Sequence, residues 1–329
     1  MLRCLVPGLV ALLLPACVAA TREPGDLPAQ GYEFAVFGDL PYVHDDASRA
    51  LYMPRYYRLL EAIGTSSAEF AVHVGDYTTG PFCGDSVVDL RRNEFRSFGK
   101  PLIFVFGDND WTDCARGGFD PLERLTRLRQ VFTEDNLSLG RRQLPLVRQS
   151  ETAQFSKFRE NVRWTHGEEL YVAFNLPGSS NNWGAGPEPS AEYVERNAAN
   201  LAFLREAFAV ATRANKRGLA VFIQANPGLN TLPYERTAAM MRGFADFMSE
   251  LQRLTVAWGK PVVLFHGDTH YFRIDKPLVD EQGHTIANFT RVESYGHPNY
   301  SWVKVSVDPA NPQLFSFRLA GLRELQQVR

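Results

Sequence analysis

A chain of 329 residues can bury a large core, as one big domain or two smaller ones. Its 45% apolar and 22% charged residues are ordinary for a folded protein, which sets aside disorder and low complexity. The formal net charge of −2 and the lack of any Lys/Arg-rich block argue against a polyanion-binding surface, so no nucleic-acid partner is expected.

The chain begins with Arg3, an apolar stretch from Cys4 to Cys17 and the small residues Val18-Ala-Ala20. This pattern predicts a secretory signal peptide over residues 1–20 and export to the periplasm or medium. The stretch is too short, and too broken by Pro7, Gly8 and Pro15, for a transmembrane span. Leu14-Pro-Ala-Cys17 offers an alternative, a lipid anchor on Cys17. Residues 21–31 form a Pro/Gly-rich linker, and a single folded unit is expected over 32–329. Once the leader is removed, Cys83 and Cys114 remain. An even pair in an exported chain predicts one disulfide; the alternative is two buried thiols.

The first strand runs from about Glu33 and stops at Gly38-Asp39, and Pro54 to Ile63 follows with helical spacing. A second strand ends at Asp76, a helix spans Asp85 to Phe98, and a third strand ends at Asp108. Asp120-Pro121 then opens a helix to Phe132 with a cap-and-proline signal. Residues 139–163, rich in Arg and Gln, carry no clear period. Beyond them come a strand over Leu170 to Asn175, the polar loop Pro177 to Asn182 and a helix over Ser190 to Ala214. A strand over Leu219 to Gln224, a helix over Ala238 to Ala257 and a strand ending at Asp268 complete the alternation. Strand–helix alternation predicts parallel sheet with right-handed crossovers. After His270 four short runs (Phe272–Ile274, Phe289–Val292, Trp302–Val307, Leu314–Leu319) lack intervening helices and predict antiparallel pairing.

Four apolar runs stop at the same dipeptide: Gly38-Asp39, Gly75-Asp76, Gly107-Asp108 and Gly267-Asp268. One such pair is only a turn, because Gly allows positive φ and Asp bonds its own backbone. Four at the carboxyl ends of buried strands place four carboxylates on one rim. Crowded carboxylates raise one another's pKa unless a cation neutralises them, and oxygen-rich sets suit Mg, Mn or Ca.

These residues resemble the calcineurin-like metallophosphoesterases, in order, from about Glu33 to Leu319. The family shows Asp-x-His, Gly-Asp, Gly-Asn-His-Asp/Glu, a His at a strand end and Gly-His-x-His. Here the matching places hold Asp39-Leu-Pro41, Gly75-Asp76, Gly107-Asp-Asn-Asp110, Gln224 and Gly267-Asp-Thr-His270. The resemblance implies a four-layer α/β/β/α sandwich with mixed central sheets. It implies two divalent metals (Mn, Mg, Fe or Ca) and hydrolysis of a small phosphorylated substrate. Carried over by position, Asp39, Asp76 and His270 hold the first metal; Asp76 bridges to a second, bound also by Asp108, Asp268 and Gln224. Asn109 stands where the family has its proton-donating His, and since an amide does not titrate, His297 is the candidate replacement. The alternative is an exported binding protein whose catalysis is lost.

Other polar residues have plainer readings. His73 is expected as a core histidine and His266 as a neighbour of the metal ligands. His44, Asp45 and Asp46 fall in a solvated loop, and His166 and His284 on surface loops. Asp110 and Asp113 either support the ligands or cap a turn.

Overall fold

The structure is a computed structural model and describes residues 31–229 and 241–321. The expected signal peptide, the linker up to residue 30 and the Cys17 anchor lie outside the described residues. In chain order the N-terminal half gives β1 (Tyr32–Phe37), α1 (Asp46–Thr65), β2 (Ala71–His73), α2 (Asp85–Ser97), β3 (Leu102–Phe104) and α3 (Pro121–Phe132). The next elements are β4 (Val147–Arg148), β5 (Val162–His166), β6 (Glu169–Ala173), α4 (Ala191–Arg213), β7 (Leu219–Phe222), α5 (Ala245–Trp258) and β8 (Val262–His266). Four strands close the chain: β9 (Arg273–Asp275), β10 (Phe289–Glu293), β11 (Trp302–Val307) and β12 (Phe315–Ala320).

Two mixed sheets result, with strand orders β12-β11-β1-β2-β3 and β4-β5-β6-β7-β8-β10-β9. Side chains alternate across a strand, and this sorts the apolar runs into two faces. Phe34 and Val36 of β1, Val72 of β2 and Ile103 of β3 meet Tyr171, Phe222 and Phe265 between the sheets. Ala35 and Phe37, on the opposite face, pack under α1, α2 and α3. Likewise Leu170, Val172, Leu219, Val221 and Leu264 pack under α4 and α5. Helices, sheet, sheet and helices therefore form the expected α/β/β/α layers. Phe34 is the hinge of the middle layer, its ring 4.9 Å from Phe70, 5.5 Å from Tyr171 and 5.7 Å from Phe265. Truncating such a ring to Ala costs roughly 3–5 kcal/mol.

Several boundaries move from their expected places, each for a local reason. Helix α1 starts eight residues before Pro54. Asp45 caps it by accepting from the Ser48 amide at 2.7 Å, while the Ser48 hydroxyl accepts from the Asp45 amide. Pro54 consequently lies inside the helix. Helix α4, by contrast, starts where expected, with Ser190 capping it by accepting from the Tyr193 amide at 3.1 Å. The unplaced stretch 139–163 supplies β4 and the start of β5, and β5 makes an antiparallel hairpin with β6. The closing strands correct the antiparallel expectation at one place: β10 pairs antiparallel with β9 but parallel with β8. β11 and β12 return to the first sheet, where β11 runs antiparallel to β1. His166 ends β5, its ring bonded to Glu69 at 2.7 Å, so it belongs to a strand.

Candidate metal centre

β1, β2 and β3 lie side by side and parallel in one sheet, and β7 and β8 do so in the other. Their carboxyl ends therefore open on one edge of the sandwich, and the residues after each strand carry the site. Asp39, Asp76 and Asp268 turn there with φ of 52°, 60° and 75°, and His270 with 61°. Asp is among the few residues that accept this left-handed region. The preceding glycines have a second reason, which is space. A Cβ on Gly107 would stand 2.0 Å from Asp76 Oδ1, and one on Gly267 would stand 2.0 Å from Asp39 Oδ2. At these two positions glycine clears room for a carboxylate from another strand, whereas a Cβ on Gly38 or Gly75 would stand 2.6 Å from Val74 or Gln224.

Asp76 is the hub. Its Oδ1 accepts from the Asn109 amide at 3.0 Å. Its Oδ2 accepts from Asn109 Nδ2 at 3.0 Å, the Tyr42 hydroxyl at 3.1 Å and Gln224 Nε2 at 3.2 Å. The same Gln224 nitrogen reaches Asp108 Oδ1 at 3.1 Å. Asp39 accepts from the Asp268 amide at 3.1 Å and faces His270 Nε2 at 3.5 Å. Asp268 Oδ2 accepts from the Asn226 amide at 2.8 Å. The His297 carbonyl accepts from His270 Nδ1 at 2.8 Å, turning Nε2 toward Asp39 and the Tyr42 hydroxyl, 3.3 Å away.

The site is heavily anionic and buried. Burial, then the charges of Asp108, Asp110, Asp39 and Asp268, push Asp76 well above the usual carboxylate range. Asp268 rises similarly, from burial and then Asp108, and Asp108 rises from burial and then Asp113. Burial lifts Asp110 to about 7 although it accepts from the amides of Gly107, Asp76 and Tyr77 at 2.7–3.0 Å. Burial lowers His270, but the adjoining Asp39 carboxylate outweighs it and carries the imidazole to about 9. A cluster of carboxylates facing a single imidazolium suits a hard divalent cation by its donor chemistry. As positioned, no three His, Cys, Asp or Glu side chains among the described residues stand in a ligating arrangement. The hydrogen-bond donors named above hold the oxygens instead.

The expected site residues therefore fall into groups. Asp39, Asp76, Asp108, Asp268 and His270 come together. Gln224 comes with them, its nitrogen rather than its oxygen directed at the carboxylates. Its Oε1 accepts from the Gly178 amide at 2.5 Å and the Asp108 amide at 3.4 Å, so backbone donors turn the nitrogen toward the carboxylates. Asn109 is pinned by Asp76, by the Tyr42 hydroxyl at 3.0 Å and by the Gly80 amide at 3.1 Å. His297 stacks on Tyr42 with ring centroids 5.4 Å apart. Burial, then the His270 charge, lowers His297 to about 4, which leaves its ring neutral at pH 7. His73 is a core residue as expected. His266 is equally buried and its Nδ1 lies 3.0 Å from the Gly267 carbonyl. Asp110 ties the Asp76 and Asp108 loops together, and Asp113 reaches the site through Ser179.

Sequence reasoning missed Tyr42, Ser179 and Asn226. Tyr42 follows Asp39 by three residues, the one local signal that was available. The Cys83–Cys114 disulfide forms, with Cα atoms 5.7 Å apart, and links the loops after β2 and β3. No helix among the described residues is long and apolar enough to cross a membrane.

No family model and no curated protein matches the chain. Among solved structures it is similar to a dimetal phosphatase from Danio rerio, with a TM-score of 0.51 and 10% identity over 83% of this chain and 92% of that one. A 5'-nucleotidase from Candida albicans aligns with a TM-score of 0.43 and 10% identity, over 88% of this chain and 50% of that one. The first likeness speaks for the fold; the second is too distant to carry weight.

Proposed function

We propose that this chain is an exported, metal-dependent phosphoesterase acting on a small phosphorylated substrate. The observation that carries the reading is the convergence of Asp39, Asp76, Asp108 and Asp268, with His270, at the carboxyl ends of strands from both sheets. The fold shared with a dimetal phosphatase supports it. The Cys83–Cys114 bridge supports an oxidising compartment.

Asp39, Asp76 and His270 would hold one divalent cation (Mn, Mg, Fe or Ca), and Asp76, Asp108 and Asp268 a second. Such cations supply a water of lowered pKa and a clamp on the phosphoryl oxygens. The protein's own part is orientation. The His297 carbonyl fixes the tautomer and direction of His270. Burial and then Asp76 hold the Tyr42 phenol protonated, so it donates at the edge of the cluster. Asn109 contributes a second neutral donor. Neither Asn109 nor the neutral His297 releases a proton to a leaving group, a step typically worth 10²–10⁴-fold. The site therefore suits esters that leave without help: activated diesters or pyrophosphates ahead of alkyl monoesters.

The test is metal analysis of the purified protein with turnover of p-nitrophenyl phosphate and its bis-ester. Wild type should carry divalent metal and hydrolyse the bis-ester, and Asp76→Asn should lose both. A second reading, a binding protein of the same fold without catalysis, is favoured by Gln224 Nε2, which gives Asp76 and Asp108 a donor in common. Folded wild type without metal or turnover would establish that reading in place of the first.

A further inference from the structure

The loop after β6 has a backbone that its residues should avoid. Ser179, Ser180, Asn181 and Asn182 take φ of 47°, 55°, 54° and 55° in succession. In L residues this conformation crowds Cβ against the following carbonyl oxygen, and runs of it are rare. It persists only where the surroundings over-determine it, and such places cluster at functional sites. Here the surroundings are a buried polar lock. Fully buried Arg196 donates to the Asn181 carbonyl at 2.9 Å, the Asn175 carbonyl at 3.1 Å and the Asn181 side chain. Glu192 holds the other side of the guanidinium at 2.6 Å and also accepts from Asn182 Nδ2 at 2.8 Å. Asn181 Nδ2 in turn donates to the Gly243 carbonyl at 2.7 Å.

The locked turn reaches the carboxylates from across the sandwich. The Ser179 hydroxyl lies 2.8 Å from Asp108 Oδ2 and 2.7 Å from Asp113 Oδ1, and Asp113 Oδ2 is paired with Arg116 at 2.7 Å. Next to it, the Gly178 amide fixes the Gln224 oxygen. A Cβ on Gly178 would stand 2.6 Å from Asp108 Oδ2 and 2.9 Å from Asp268 Oδ1. One short turn thus touches Asp108, Asp268 and Gln224 together.

We infer that Ser179 is a positioning residue for the second cation: the left-handed turn delivers its hydroxyl to Asp108 Oδ2 and leaves Asp108 Oδ1 facing Asp76. This rests on the proposed function, since it assigns a role within that centre. Removing an outer hydrogen bond of this kind typically weakens metal binding 10–100-fold.

The test separates the hydroxyl from the backbone. Full chain, stripped by chelator, is titrated with Mn²⁺ by calorimetry, and thermal unfolding is recorded without metal. Ser179→Gly relieves the left-handed strain but removes the hydroxyl; Ser180→Gly relieves the same strain one residue on and keeps it. The expected result is a 10–100-fold loss of Mn²⁺ affinity in Ser179→Gly with no fall in melting temperature, and wild-type affinity in Ser180→Gly. Wild-type affinity in Ser179→Gly, or an equal loss in both variants, overturns the assignment. Wild-type protein that takes up no Mn²⁺ removes the proposed function itself, and this assignment with it.

Discussion

Removing the Cys83–Cys114 bridge should destabilise the protein by an amount that follows from its place in the chain. The two cysteines are 31 residues apart in sequence. Opening that loop returns about 12 cal/mol/K of entropy to the unfolded chain, or about 3.7 kcal/mol at 25 °C. Both sulfur positions are buried, so Cys83→Ala with Cys114→Ala is a cleaner perturbation than reductant. With a urea slope near 3 kcal/mol/M, the midpoint of unfolding should fall by about 1 M. A consequence at the site follows, because the bridge ties the loop after Asp76 to the turn after Asp108. The Gly80 amide bonds Asn109 across the same gap, and Arg124 Nη1 donates to the Cys83 carbonyl at 2.9 Å. Metal uptake should therefore weaken along with stability. An unchanged urea midpoint in the double variant, with thiol titration showing no cysteine left at these two positions, would refute the loop-entropy reasoning.

Two further outcomes follow from the same geometry. Gly107→Ala, whose Cβ would collide with Asp76, should abolish metal uptake, while Gly99→Ala, with nothing within 4 Å, should shift stability by no more than about 0.5 kcal/mol; urea melts and metal analysis read both. In chelator-treated protein the urea midpoint should fall as pH rises from 7 to 9. His270 is raised from 6.5 to about 9, so its contribution is complete below 6.5 and is lost on the way to 9. Glu293, lifted by burial from 4.5 to about 7, loses its contribution between those values, on the acid side of the same range. His73 and His266, lowered by burial to about 3, act oppositely: their contribution is present above 6.5 and lost as pH falls toward 3. A His270→Gln variant whose midpoint falls as steeply between pH 7 and 9 as wild type would contradict the assignment.

The strands that carry the centre were legible because burial on both faces leaves a plain signature. Phe34 to Phe37 are apolar at every position since one face meets the other sheet and the opposite face meets helices. The start of α1 was misplaced because Pro54 drew the boundary toward itself, while the Asp45–Ser48 capping box that sets it lay in a polar stretch. β10 read as antiparallel because no helix precedes it, yet the crossover from β8 goes through β9 and a long loop.

What the amino-acid order determined by itself is local: which runs are strands, where they break, that a carboxylate follows four of those breaks, and that Cys83 and Cys114 each lie a few residues beyond one of them. Those features depend on neighbours in the chain and on Asp tolerating the left-handed turn that three of the four adopt. The tertiary structure decided the rest. It brought Tyr42 beside Asp76, turned the Gln224 nitrogen inward through the Gly178 amide, neutralised His297 by burial and locked Ser179 onto Asp108 through Arg196. Each is a contact between residues from different elements, and hydrogen-bond direction and desolvation act only on groups that folding has already brought together.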